Sequence, residues 1–304
     1  MAKIPVFTLS NGVEIPSIGF GTWQIPNGDI AYNAVTCALK NGYRHIDTAS
    51  NYGNEPSVGR AVNDCGSNRS GIFVTSKLPA EIKTYLETFE SFDKTMKNLG
   101  LAYLDLYLIH APWPWKRKGY DYSTGNIEVW KAMEEIYKSG RCRAIGVSNF
   151  EISDLNAIIN TCSIKPMVNQ ISYFIGKKQK GLTLFCRQNN ILVEGYSPLA
   201  TGAIMGNKAI AAIAEKYNTT LPQICIRYLL QKGIVPLPKS TNPEHIKQNL
   251  DVGFEIAAAD MDYLGRLTGT INGMLLSNMK RVIKKQLIAA ESRLQKLGIM
   301  SGIK

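Results

Sequence analysis

Four residues of this chain have the types needed to move a proton onto a carbonyl oxygen. In "GYRHIDTASNYGNE", residues 42 to 55, an apolar run ends on Asp47 and a tyrosine follows at Tyr52. The run "VTSK" ends on Lys77 and "LIH" ends on His110. A phenol titrates near pH 10, so it serves as an efficient acid at neutral pH only where something favours its phenolate. The Lys77 ammonium would do that if it stays charged in a partly desolvated site, and Asp47 is the carboxylate at hand to keep it so. His110 can donate a hydrogen bond to the same oxygen and orient it. Singly, each residue has an ordinary explanation: Asp47 as a backbone cap, Lys77 as a solvated loop lysine, His110 and Tyr52 as packing. His45, inside its apolar run, reads as a packing residue.

A proton donor aimed at a carbonyl still needs an electron source, and with Lys77 engaged by Asp47 no Schiff base is implied. A hydride carrier is the natural complement. Yet "GFGTWQ" begins G-x-G and then has Gln24 where a third glycine would stand, so a dinucleotide must be held otherwise than by the Rossmann fingerprint. Six scattered cysteines include no C-x-x-C pair and three histidines no H-x-x-x-H spacing, so neither a metal site nor a disulfide framework is expected. Reduced thiols fit a cytoplasmic protein.

Positioning these groups is the work of alternating elements. Eight short apolar runs can be counted: 17–20, 43–46, 72–75, 104–109, 142–147, 167–168, 192–195 and 234–237. Helical patterns lie between them, as in "IEVWKAMEEIYKSG", where Ile127, Trp130, Met133, Ile136 and Tyr137 share one face and Gly140 supplies the stop. Eight strand–helix units predict an α/β fold, a (β/α)8 TIM barrel, in one domain spanning 1–304. "VFTLSNGVEIP" predicts an N-terminal β-hairpin with Asn11–Gly12 at its turn. Just past the apolar runs stand Asp47, Lys77, His110, Ser148 with Asn149, Gln170, Tyr196 and Lys239. In a parallel barrel all of these fall at the C-terminal rim, where barrel active sites lie.

Composition excludes other classes. No apolar run approaches the roughly 20 residues that span a bilayer, so a membrane protein is not expected. The formal charge is +11, but the last 25 residues carry seven Lys/Arg against one Glu, and the body is only mildly basic. Nucleic-acid binding is therefore not expected.

Taken together, "GYRHIDTASNYGNE", "VTSK", "LIH", "RAIGVSNF", "VNQISY", "YSPLATG" and "PLPKSTNPEHIKQN" resemble the aldo-keto reductases, from about residue 6 to about residue 265. The short segment after Tyr196 is similar to the microbial, diketogluconate-reductase-like branch. The resemblance implies NADPH lying extended across the barrel rim and a small-molecule carbonyl substrate. It implies that Asp47, Tyr52, Lys77 and His110 are the catalytic tetrad. Ser148, Asn149 and Gln170 would bond the nicotinamide carboxamide, and Tyr196 would stack on its ring. Ser197 and Leu199 would lie at the pyrophosphate, Lys239, Ser240, Thr241 and Asn242 around the 2′-phosphate, and Asn249 at adenine. Trp23 and Trp113 would line the substrate pocket.

Two departures carry expectations of their own. His245 stands where the family usually has an arginine against the 2′-phosphate, and imidazole lacks the guanidinium fork, so some tolerance of NADH is expected. Residues 278–304 place Met279, Ile283, Leu287, Ala290, Leu294 and Leu297 on one stripe with lysines opposite. They predict a basic amphipathic C-terminal helix, packed on the barrel or supporting a weak homodimer. The expected function is NADPH-dependent reduction of aldehydes or ketones. The alternative is a nucleotide-binding redox sensor without significant turnover; an intact tetrad favours the enzyme.

Overall fold

In the computed structural model, which describes residues 5–177 and 179–268, the chain opens with a hairpin. Strands β1 (Val6–Thr8) and β2 (Glu14–Pro16) pair antiparallel across a turn in which Gly12 takes φ 85°, a left-handed conformation that glycine adopts without a Cβ penalty. Asn11 donates from Nδ2 to the Arg143 carbonyl at 2.9 Å, which seats the hairpin over the barrel floor.

Eight strands follow: β3 (Phe20–Gly21), β4 (His45–Asp47), β5 (Phe73–Leu78), β6 (Leu106–Ile109), β7 (Ile145–Ser148), β8 (Val168–Ser172), β9 (Leu192–Tyr196) and β10 (Ile234–Leu237). Each pairs in parallel with the next in sequence. The ring closes where Gly19 N–H donates to the Pro236 carbonyl and Gly21 N–H to the Pro238 carbonyl, both at 3.0 Å. A side chain at Gly19 could not be accommodated, because its Cβ would lie 2.6 Å from His45 Nδ1. The fold is the (β/α)8 barrel that the alternation predicted.

Helices α1 (Asp29–Asn41), α2 (Glu55–Asp64), α3 (Tyr85–Leu99), α4 (Ser123–Lys138), α5 (Ile152–Ile159), α6 (Lys180–Gln188), α7 (Lys208–Lys216), α8 (Leu221–Gln231), α9 (Pro243–Gln248) and α10 (Ala258–Arg266) complete the described chain. In α4 the expected stripe is inward: Trp130 and Met133 are fully buried, and the Trp130 indole N–H finds the Ile164 carbonyl at 2.8 Å. Gly140, φ 78°, follows the helix end as expected. The helix begins earlier than its apolar stripe does, at Ser123, whose N–H is accepted by Asp121 Oδ1 at 2.8 Å.

Among the described residues no helix is long and apolar enough to cross a membrane. The helix expected over residues 278–304 lies outside the described residues.

Candidate active site

The tetrad residues come from four places and meet at one rim. Asp47 ends β4, Lys77 lies within β5, His110 follows β6, and Tyr52 closes a short 3-10 turn, Ser50–Tyr52, after β4. Gly53, φ 70°, redirects the chain from that turn into α2. Asn54 is fully buried and clamps the turn: it accepts from Thr48 Oγ1 at 2.8 Å and donates to the Thr22 and Ile25 carbonyls at 2.9 Å. The loop after β3 and the Tyr52 turn are thereby one unit.

Lys77 is the hub. Its side chain is wholly buried, and Nζ donates to Asp47 Oδ2 at 2.7 Å, to Asp47 Oδ1 at 2.8 Å and to the Thr48 carbonyl at 2.8 Å. It also lies 3.4 Å from the Tyr52 hydroxyl. Burial, the largest single influence, pulls the Lys77 pKa down, but the Asp47 charge and hydrogen bonds together with the nearby Tyr52 and Glu194 outweigh it, and Lys77 is held above the usual lysine range. For Tyr52 the balance differs from the expectation. Burial raises the phenol above its ordinary value, and Lys77 opposes that rise without cancelling it. The resting phenol is protonated, which is the state an acid must start from.

His110 packs edge-on against Tyr52, ring centroids 5.6 Å apart. Burial, then the Lys77 charge, lowers its pKa to about 3, so the ring is neutral at physiological pH. Its Nδ1 is buried without a hydrogen-bond partner among the described residues. An orphaned N–H there would cost more than an idle lone pair, which favours the tautomer with its hydrogen on Nε2, available as a donor.

Around them runs a cavity of about 910 Å³. Asp47, Tyr52, His110, Ser148, Asn149, Gln170, Tyr196, Ser197, Leu199, Lys239 and Trp23 line it, as expected of rim residues. Ser148, Asn149 and Tyr196 interlock: Asn149 donates to Ser148 Oγ at 3.0 Å and accepts from the Tyr196 hydroxyl at 2.7 Å. Asn149 and Ser197 hold positive φ of 62° and 52°, sparsely populated for residues with side chains and costing on the order of 1 kcal/mol or more each. Ser240, Thr241, Asn242, His245 and Asn249 do not line this cavity; they continue from β10 to the end of α9, where Asn242 Oδ1 accepts the Glu244 and His245 N–H groups. His245 is exposed.

Three placements differ from the sequence reading. Trp115 rather than Trp113 lines the cavity; Trp113 backs it edge-on at 5.4 Å, and Trp115 packs on His110 at 5.3 Å. Lys77 and Gln170 lie inside strands rather than past their ends. His45 has polar company that the sequence did not reveal: its Nε2 sits 3.0 Å from Thr75 Oγ1 and 3.7 Å from Glu194, in the barrel interior. Asn51 and Thr201, which lie within two of the quoted motifs but were given no role there, also line the cavity.

Beneath the tetrad, Glu194 is fully buried, and burial followed by the Asp47 charge pushes its pKa up to about 8. Unfolded, it would lose its proton near the ordinary glutamate value of about 4.3. Between those values the folded chain keeps a proton that the unfolded chain has released. The group's stabilising contribution is therefore complete below the lower value and drains away as pH rises to the upper one, by roughly 1.4 kcal/mol per unit at most. Glu194→Gln removes this slope. Its unfolding free energy should improve relative to wild type across that window, as denaturant titrations at several pH values would show; parallel pH profiles for the two proteins would contradict it.

The sequence profile of the Aldo/keto reductase family matches residues 17–268. The chain belongs to the aldo/keto reductase family. A glyoxal reductase of Bacillus subtilis (strain 168) is 42% identical over 260 residues, covering 85% of this chain and 91% of the relative. Among solved structures, an aldo/keto reductase from Brucella melitensis superposes with a TM-score of 0.82 at 38% identity, covering 88% of this chain and 98% of that one. An aldo-keto reductase of Bombyx mori in complex with NADP superposes with a TM-score of 0.80 at 30% identity, covering 89% and 94%. In this aldo/keto reductase the segment after Tyr196 runs from 197 to 207 before α7 begins, with one 3-10 turn at Ala200–Gly202.

Proposed function

We propose that this aldo/keto reductase reduces aldehydes or ketones to alcohols with NADPH, and that Tyr52 is the general acid. The observation that carries the assignment is Lys77 Nζ, held at 2.7 Å by Asp47 and placed 3.4 Å from the Tyr52 hydroxyl at the cavity wall. The cavity that Tyr52 and Trp115 line is also lined by Ser197, Leu199 and Lys239, the residues that the sequence resemblance assigns to the cofactor's phosphates. When bound, the cofactor supplies the hydride. The chain's own residues do the rest. Tyr52 passes its proton to the substrate oxygen as charge develops there, and the Lys77 ammonium stabilises the phenolate left behind. His110 Nε2 donates to the same oxygen, and Trp23 and Trp115 wall the substrate side.

Purified protein, NADPH and a panel of aldehydes and dicarbonyls test this. Stoichiometric loss of reduced-nicotinamide absorbance with alcohol formation is expected; tight binding without consumption would instead support a sensor. A dicarbonyl belongs in the panel because a relative is named a glyoxal reductase.

Preference for NADPH over NADH rests on Lys239, an exposed cation at the cavity, while His245 offers no bidentate fork. His245→Arg should tighten NADP+ binding about tenfold, the worth of one charge-assisted hydrogen bond, and leave NAD+ binding unchanged. Equal gains for both nucleotides in calorimetric titration would remove His245 from the 2′-phosphate site. The six free thiols support a reducing, cytoplasmic setting.

A further inference from the structure

Gln170 carries an amide whose two hydrogens are both accounted for. Nε2 donates to Asp47 Oδ2 at 2.8 Å and to Glu194 Oε2 at 2.9 Å. Gln170 and Glu194 face each other across the β8–β9 pair, whereas Asp47 reaches in from β4 on another side of the barrel. All three side chains are buried, Glu194 completely. The amide oxygen accepts no hydrogen bond among the described residues, and Gln170 lines the cavity. What this residue offers a ligand is therefore an acceptor alone.

A glutamine side chain turns about three torsions, and one hydrogen bond leaves its amide free to pivot about that bond. Asp47 takes one of the two amide hydrogens, through Oδ2, and leaves the other. The second anchor is Glu194. Its other oxygen, Oε1, has no hydrogen-bond partner among the described residues, His45 Nε2 standing off at 3.7 Å, so the hydrogen bond the carboxyl makes is to Gln170. We propose that Glu194 is a positioning residue of the reductase: together with Asp47 it captures the Gln170 amide hydrogens and fixes the amide oxygen toward the cavity, as an acceptor for the amino group of the cofactor's carboxamide. The proposal rests on the cofactor reading given above. It extends the working site one step below the rim, to a residue that touches neither substrate nor cofactor.

Removing the Glu194 acceptor leaves a buried Gln170 N–H unpaired, which is costly, and the amide turns to find a partner. Its oxygen then no longer waits at one place. The loss is specific to a ligand that carries an amino group there. A purely structural Glu194 would weaken all cofactors alike.

The test is a binding measurement on full-length protein with two oxidised cofactors. One is NADP+; the other is its 3-acetylpyridine analogue, in which a methyl group replaces the carboxamide amino group. Wild type should prefer NADP+ by roughly fivefold to tenfold, the worth of one hydrogen bond. Glu194→Leu should bring the ratio of the two dissociation constants to within about twofold of unity, while Glu194→Gln, which keeps an acceptor oxygen, should retain the wild-type ratio. Glu194→Thr suits a strand and is too short to reach the amide, so it serves where the leucine variant does not fold. An unchanged ratio in the leucine or threonine variant would overturn the proposal, as would a wild type that does not discriminate. Failure of wild type to bind either nucleotide would count against the cofactor reading itself.

Discussion

Tyr52→Phe should fold, bind NADPH with nearly wild-type affinity and lose turnover by about 100-fold to 10,000-fold, the range that a positioned general acid contributes. The substitution deletes one oxygen and little else. The ring that packs on His110 at 5.6 Å and under the Lys77 ammonium at 5.0 Å remains, and among the described residues the hydroxyl's hydrogen bond is the 3.4 Å approach of Lys77. The pH dependence should carry the same signature. Burial raises the Tyr52 pKa, so the acid form persists through neutral pH, and reduction should fall only in alkaline solution beyond the ordinary phenol range. No step should appear near the usual histidine value, because His110 stays neutral down to about 3. A phenylalanine variant with near wild-type kcat would show that another group supplies the proton. A step near pH 6.5 lost in His110→Gln would show that the imidazole titrates after all.

The barrel was legible because its strands' outward faces and helix stripes are apolar, and alternation of eight such units admits few architectures. Strand ends were misread for one physical reason. The inner wall near the rim is polar, so Lys77 and Gln170 look like the start of loops although their backbones stay in β5 and β8. Burial without an apolar side chain is invisible to periodicity. The floor beneath the tetrad was hidden for the same reason: Glu194 sits inside the run 192–195 with no local pattern to say which way it faces, and only closure of the barrel brings it against Gln170 and His45. The two tryptophans of "PWPW" are a different case. Both are equally plausible linings, and which one faces the cavity depends on a loop path that no local pattern encodes.

Lys77→Met should damage stability and activity together, and the two losses can be separated. The variant leaves Asp47, 4% exposed, without its counter-ion, and the Thr48 carbonyl without its donor. Breaking a buried pair by removing one partner costs about 3 to 5 kcal/mol, mostly because the surviving charge has no compensation. Asp47→Asn in the same chain removes that charge while keeping an oxygen for the Gln170 amide at its present 2.8 Å. The double variant should therefore be more stable than Lys77→Met alone, with a coupling of at least about 2 kcal/mol in a double-mutant cycle of unfolding free energies. Turnover should not return with it. A neutral asparagine relieves the buried charge but supplies no ammonium beside Tyr52, so the phenolate formed on proton transfer goes unstabilised. If Lys77→Met unfolds at the wild-type midpoint, the ion pair is not what organises this rim. If the double variant regains activity along with stability, the ammonium acts only through folding, and its electrostatic role toward Tyr52 is wrong.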